Sequence, residues 1–213
     1  MSSAAEAAIV PLGRRERRRQ EVRARIVEAA MRLFDAKGFA ATTVAEICAA
    51  ADVAEKTFFN HFASKPDMLR EVARIELEIL VDLIAEAGRR GGGATGSVRG
   101  RLELFFRLLA DRVEAAGPMR RELLTELVHL AHEAGTGSAQ ARTLHGAFAA
   151  LVRTGTAPGR GLAAETAVDV VLGAFYALML NWANIEGYPL RRRALAMARF
   201  LGDAIADAGR RRR

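Results

Sequence analysis

Apolar residues recur along this chain at spacings of three and four, the repeat of an amphipathic α-helix. The pattern is clear over residues 19–37, where Val22, Ile26, Ala29, Ala30 and Leu33 share one helical face. Few stretches alternate with the period of two that a strand requires, and the 213 residues include only 5 prolines. The sequence therefore predicts an all-α fold of about nine helices.

Residues 38–61 carry the signals for two short helices that are separated by a tight turn. Gly38 ends the first helix, and Thr43 with Glu46 forms a capping box that begins the second. Asp52 falls where the turn requires a left-handed conformation, which Asp tolerates better than most non-glycine residues. A third helix is expected over residues 54–61. Three short helices with this turn predict a helix-turn-helix.

The remainder of the chain predicts a larger helical domain. Ser64 caps a long fourth helix that extends to about Ala87 and is followed by a glycine-rich loop. Later helices are expected over residues 101–116, 118–133, 139–154, 163–186 and 190–208. The predicted organisation is a flexible basic arm (1–18), a helix-turn-helix DNA-binding domain (19–66), an effector-binding and dimerisation domain (67–209) and a basic tail (210–213).

The net charge of +7 is unevenly distributed. Residues 14–66 carry 11 Lys and Arg against 7 Asp and Glu, residues 67–209 carry 17 of each sign, and the tail adds four arginines. A basic region beside a neutral body suits a module that binds a polyanion, although a merely solvated arm would have the same composition.

An exposed helix that follows such a turn can enter the major groove of DNA. The side chains expected on or beside that face, or at a helix start where backbone N–H groups bind phosphate, are the candidate DNA-binding residues. They are Thr43, Ala54, Glu55, Lys56, Thr57, Phe59, Asn60, His61 and Lys65.

Residues 23–69 closely resemble the N-terminal domain of TetR/AcrR-type repressors. The resemblance is carried by Ala29, Leu33, Phe34, Gly38, Thr42-Thr43-Val44, Ile47, Ala51, Val53, Thr57-Phe58, His61-Phe62 and Ser64-Lys65. Asp52 and Lys56 stand where glycine is common in the family, and Phe59 stands where tyrosine is common. The resemblance implies a bacterial regulator that binds a palindromic double-stranded operator as a homodimer.

The helix over 163–186 is apolar on almost every side, so it must be buried on more than one side. With the final helix it could form a four-helix interface between two subunits, which is also what the resemblance implies. The resemblance further implies a cavity for a small apolar or amphipathic effector. Its candidate lining residues, for which plain core packing is the alternative, are Phe105, Phe106, Met119, His129, Phe148, Phe175, Tyr176 and Met179.

The main alternative is a helical metal- or small-molecule-binding enzyme without a DNA function. His129 and His132 lie three residues apart beside Glu133, but the acid falls outside the pair, unlike the zinc motif His-Glu-x-x-His. The glycine-rich stretch 91–97 lacks the lysine of a phosphate loop. We therefore expect no enzyme activity, no catalytic residue, no metal and no cofactor. The chain has no stretch of about 18 uninterrupted apolar residues, and its arginine-rich arm lacks the bulky apolar anchors of a membrane-surface protein, so we expect a cytoplasmic protein with no membrane partner. The expected function is a ligand-responsive repressor.

Overall fold

A computed structural model of the chain describes residues 13–91, 97–115, 139–153 and 162–210. Within these ranges every regular element is an α-helix, which confirms the predicted fold class. The helices are α1 (Arg14–Lys37), α2 (Val44–Ala51), α3 (Glu55–His61), α4 (Lys65–Arg90), α5 (Val98–Ala115), α6 (Ala139–Val152), α7 (Leu162–Asn184) and α8 (Leu190–Arg210). The helix expected over residues 118–133, most of the basic arm and the end of the basic tail lie outside the described residues.

The first helix begins at Arg14, five residues before the expected start. Residues 14–18 were expected in a flexible arm, so this boundary of the arm was wrong. The segment has no apolar face for periodicity to reveal, since all its residues are exposed. Arginine is nevertheless a good helix former, and Glu16 lies in the first turn, where the helix dipole favours negative charge.

Two hydrophobic cores meet along α4. The N-terminal core joins α1, α2 and α3 to the first turns of α4 through Met68, Leu69 and Val72. The second core begins further along the same helix, with Ile84 and Ala87, and continues through α5 to α8. The division between the cores therefore falls inside α4 and not at residue 66, where the sequence suggested a boundary. A single helix, α4, therefore belongs to both cores.

Helix α8 packs along α5 at a point where a glycine allows close approach. A Cβ atom built on Gly202 would lie 2.6 Å from the Cα of Arg99. Ion pairs flank the contact at both ends of the helix pair: Arg99 binds Asp203 at 3.0 Å, and Arg191 binds Glu114 at 2.6 Å. These pairs are solvent-exposed and add little stability, so the apolar packing holds the helices together.

One face of α7 and α8 remains uncovered in the single chain. Val170, Leu180 and Ile185 are exposed, and Phe200 on α8 retains 73% of its accessible surface. The stretch Glu165–Asn184 is long and apolar enough to cross a membrane by length and composition alone, and it is the only such helix in the described part of the chain. A large apolar side chain exposed as fully as Phe200 marks a surface that could be covered by a partner.

Candidate nucleic-acid interface

The start of α2 is fixed by the capping box that the sequence predicted. The Thr43 hydroxyl accepts a hydrogen bond from the Glu46 backbone N–H at 3.3 Å, and the Thr43 backbone N–H donates to the Glu46 carboxylate at 2.8 Å. Hydrogen bonds from Lys37 and from Thr43 lower the pKa of Glu46 to about 2. The polar atoms of Thr43 are thus bound within the domain. Its role in DNA binding remains a prediction, and it would depend on other N–H groups of this helix turn.

The turn between α2 and α3 has the left-handed residue expected at Asp52, with φ 52° and ψ 56°. Hydrogen bonds from the backbone N–H groups of Asp52 and Val53 to the carbonyls of Ala49 and Cys48 close the turn, at 3.3 and 3.0 Å. The chain then enters α3 with Ala54 at the N-cap position. This short, hydrogen-bonded turn fixes the angle at which α3 leaves α2.

Helix α3 is held by one buried face and presents another to solvent. Phe58 within the helix and Phe62 directly after it are fully buried, with ring centroids 5.6 Å apart. The opposite face exposes four of the predicted DNA-binding side chains, Glu55, Lys56, Phe59 and Asn60. Lys56 and Asn60 are four residues apart, as are Glu55 and Phe59, so each pair lies one turn apart on the same side.

Phe59 is 52% exposed, although its ring also packs edge-on against Phe58 at 5.3 Å. Thr57 and His61 are only partly exposed. Burial, aided by the charges of Arg19 and Arg23, lowers the pKa of His61. The lowered pKa favours the neutral imidazole, which adds no positive charge to this face.

Lys65, a candidate DNA-binding residue at the start of α4, turns its side chain toward the loop before α2. Its ammonium donates hydrogen bonds of 2.8 Å to the carbonyl oxygens of both Phe39 and Thr42 and lies 4.3 Å from the centroid of the Phe39 ring. The sequence showed a lysine at a helix start but not the two carbonyls that its long side chain reaches. Lys65 ties α4 to the loop before α2, and two of its three donors are occupied.

The sequence also missed Arg23, which contacts the end of α3, and Glu71, which binds Arg23. Arg23 on α1 donates to the carbonyl of His61 and to the carboxylate of Glu71 on α4. Contacts between residues 38 and 48 positions apart have no local signal in a single sequence. By contrast, the exposed Arg14, Arg15, Arg17, Arg18 and Arg19 form the basic surface at the start of α1 that the charge distribution suggested.

Residues 26–72 match the family model described as bacterial regulatory proteins, tetR family. The matched segment contains the capped α2, the turn at Asp52 and the exposed face of α3. This N-terminal segment is similar to the bacterial regulatory proteins of the tetR family.

The chain is similar to proteins named as HTH-type transcriptional regulators. The HTH-type transcriptional regulator TcmR of Streptomyces glaucescens is 35% identical over 96 residues, which cover 42% of each chain. The chain spans less than half the length of the curated relatives it matches. The similarity to these relatives therefore covers only part of each chain.

Two solved structures share the fold over most of their length. A transcriptional regulator from Pseudomonas aeruginosa PAO1 superposes with a TM-score of 0.58 at 19% identity, covering 91% of this chain and 95% of that one. Thermus thermophilus FadR, a TetR-family repressor crystallised with lauroyl-CoA, gives 0.55 at 25% identity, covering 84% and 92%.

The candidate effector residues that the structure describes converge in the second core. Phe105 contacts Phe106 and Phe148 at centroid distances of 5.0 and 5.3 Å, and Phe175 contacts Phe148 and Tyr176 at 5.7 and 5.5 Å. The phenylalanines are buried, as is Met179 in the same core. Met119 and His129 lie outside the described residues. The rings pack against one another, so their role in binding a ligand remains a prediction.

A surface groove of about 460 Å³ lies between α4 and α6. Leu77 and Val81 contribute apolar surface to it, and Arg74, Glu78 and Asp82 contribute charges. The sequence did not single out these residues, because periodicity does not indicate which helices leave a gap between them. No group of three or more His, Cys, Asp or Glu residues that could hold a metal ion occurs within the described ranges.

Proposed function

We propose that this chain is a ligand-responsive transcriptional regulator of the TetR family that binds double-stranded DNA through α3. The exposed face formed by Glu55, Lys56, Phe59 and Asn60 carries this proposal. Its chemistry suits base edges in the major groove: Lys56 can bind guanine, Asn60 can bind adenine in bidentate fashion, and Phe59 can contact a thymine methyl group. The arginines at the start of α1 would bind phosphates and position the protein without reading sequence.

The regulator would act as a homodimer on a palindromic operator. The uncovered face of α7 and α8 supports this, because Leu180 and Phe200 would leave water on association with the same face of a second copy. Gly173 and Ala177 lie on the exposed side of α7 between Val170 and Leu180, and such small residues allow two helices to approach closely. Two copies of α3 would then contact two half-sites of opposite orientation. This assignment of the apolar α7 favours a cytoplasmic protein without a membrane partner.

The effector would be a small apolar or amphipathic molecule bound within the second domain. The aromatic cluster around Phe105 and Phe175 offers apolar surface, and lauroyl-CoA in the Thermus FadR structure is an amphipathic ligand of the same broad class. Because α4 belongs to both cores, an effector that moves α4 would change the separation of the two α3 helices. Repression would then end because the helices no longer fit half-sites about 34–36 Å apart.

Selection of duplexes from a random pool by the full chain tests the proposal. We expect a defined sequence to be enriched and to bind about a thousandfold or more tightly than unrelated DNA. Lys56→Ala should weaken binding to the enriched duplex about tenfold or more, since a good base contact contributes about 1–3 kcal/mol. Arg107→Ala, which removes an exposed charge on α5, is the matched control and should bind normally. An enzyme without a DNA function would enrich nothing.

A further inference from the structure

Arg23 differs from the exposed arginines of α1 because its partly buried guanidinium binds groups of the domain. Only 37% of the side chain is exposed. Nη1 donates a hydrogen bond of 2.9 Å to the carbonyl of His61, and Nη2 donates one of 3.2 Å to the carboxylate of Glu71. The Cζ atom lies 4.3 Å from the centroid of the Phe62 ring. Two of the five N–H donors of Arg23 are thus directed at protein groups.

The carbonyl that Arg23 binds belongs to the last residue of α3. Carbonyl groups in the last turn of a helix have no partner within the helix, and positive charge there is favourable. Because α3 has only seven residues, few contacts determine its tilt. The buried Phe58 and Phe62 hold one face, and Arg23 holds the C-terminal end.

The second partner of Arg23 lies on α4, the helix that both cores share. The Glu71 side chain is 16% exposed and also accepts hydrogen bonds of 2.9 and 3.2 Å from Arg74. The hydrogen bond from Arg74 contributes most to lowering the pKa of Glu71 to about 2, with a further contribution from Arg23, against the opposing effect of burial. Glu71 is therefore ionised at neutral pH. The guanidinium of Arg23 thus bridges α4 and the end of α3.

We propose that Arg23 and Glu71 are positioning residues that clamp the C-terminal end of α3 to α4, so that α3 follows any movement of α4. The inference rests on the proposed DNA-binding function. The competing role for Arg23 is a phosphate contact, like its exposed neighbours on α1. The two roles predict opposite changes in DNA affinity when the charge of Glu71 is removed. Removing the charge of Glu71 strengthens binding to every duplex if Arg23 binds phosphate, and it weakens selective binding if the pair is a clamp.

The test uses the full chain and the duplex enriched from the random pool, beside a scrambled duplex of the same composition. The affinities of Glu71→Gln, Arg23→Gln and the double variant are measured by fluorescence anisotropy over a range of salt concentrations. Each single variant should lose about tenfold affinity for the enriched duplex and none for the scrambled one. The salt dependence should be unchanged, and the double variant should be no weaker than either single variant.

Two exposed residues of α1 provide matched controls. Glu28→Gln removes the same charge as Glu71→Gln from a pair with Arg32 on the helix surface, and it should leave the selectivity between duplexes unchanged. Arg19→Gln removes an exposed arginine and should weaken binding to both duplexes, with a salt slope lower by up to about 0.9.

Stronger binding of Glu71→Gln to both duplexes, or a lower salt slope for Arg23→Gln, would overturn the clamp. Unchanged selectivity between the duplexes in both Glu71→Gln and Arg23→Gln would also overturn the clamp. If Arg23→Gln unfolds, Arg23→Lys replaces it, because lysine keeps the charge but lacks the guanidinium fork. Arg23→Lys should lose selectivity between the duplexes if Arg23 is a clamp, and it should retain that selectivity if Arg23 contacts a phosphate. If the wild-type chain enriches no duplex, the proposed DNA-binding function is contradicted, and not only the clamp. That result is obtained before any variant is made.

Discussion

Replacing Gly202 by alanine should destabilise the second domain, although alanine is the better helix former. The change gains up to about 1 kcal/mol of helix propensity. The new Cβ, however, would lie 2.6 Å from the Cα and 2.7 Å from the Cβ of Arg99 on α5. Neither atom can rotate away, so α8 must shift from α5, and such overpacking costs about 1–3 kcal/mol. We expect a net loss of about 1–2 kcal/mol and a midpoint lower by about 2–8 °C.

Gly146→Ala on α6 is the matched control, because a Cβ there meets no atom within 4 Å. This substitution should gain part of the same helix propensity without a clash, so it should raise the free energy of unfolding. Thermal and urea unfolding, followed by circular dichroism at one fixed protein concentration, measure both variants. Equal stabilisation by the two substitutions would refute the close packing of α8 on α5.

Three further substitutions test other parts of the structure. Asp52→Val should lower the free energy of unfolding by about 1–2 kcal/mol, measured by urea unfolding, because a β-branched residue resists the left-handed conformation of this turn. Phe175→Ala should lower it by about 3–5 kcal/mol, because it empties part of the aromatic cluster. Glu71 has a folded pKa of about 2, below its ordinary 4.5, so its stabilisation is present above about pH 5 and is lost as the pH falls towards 2. Glu71→Gln should therefore lose less stability than the wild type between about pH 7 and pH 3 in the same assay.

Much of the N-terminal domain follows from local sequence rules. The capping box at Thr43, the left-handed Asp52 and the Ser64 cap each depend on residues within a few positions of one another, and each was predicted. The exposed face of α3 followed from the same short-range geometry, since Phe58 fixes which side of the helix is buried.

The missed features depend on contacts that a single sequence does not encode locally. Lys65 reaches carbonyls 23 and 26 positions earlier, and Arg23 joins residues 38 and 48 positions later. The early start of α1 was missed for a different reason: an exposed helical turn of arginines has no apolar period. The effector residues could be predicted to share a core, but whether that core opens for a ligand depends on packing between distant helices.

The most direct test of the central claim is a footprint of the full chain on the duplex that it enriches, combined with the mass of the complex. We expect two protected half-sites of opposite orientation, about one helical turn of DNA apart or further, bound by an even number of chains. Phe200→Asp, which places a charge on the proposed dimer face, should give a monomer that binds the duplex weakly. One protected site bound by one wild-type chain, or a footprint that survives as a dimer in Phe200→Asp, would contradict a dimer formed through α7 and α8.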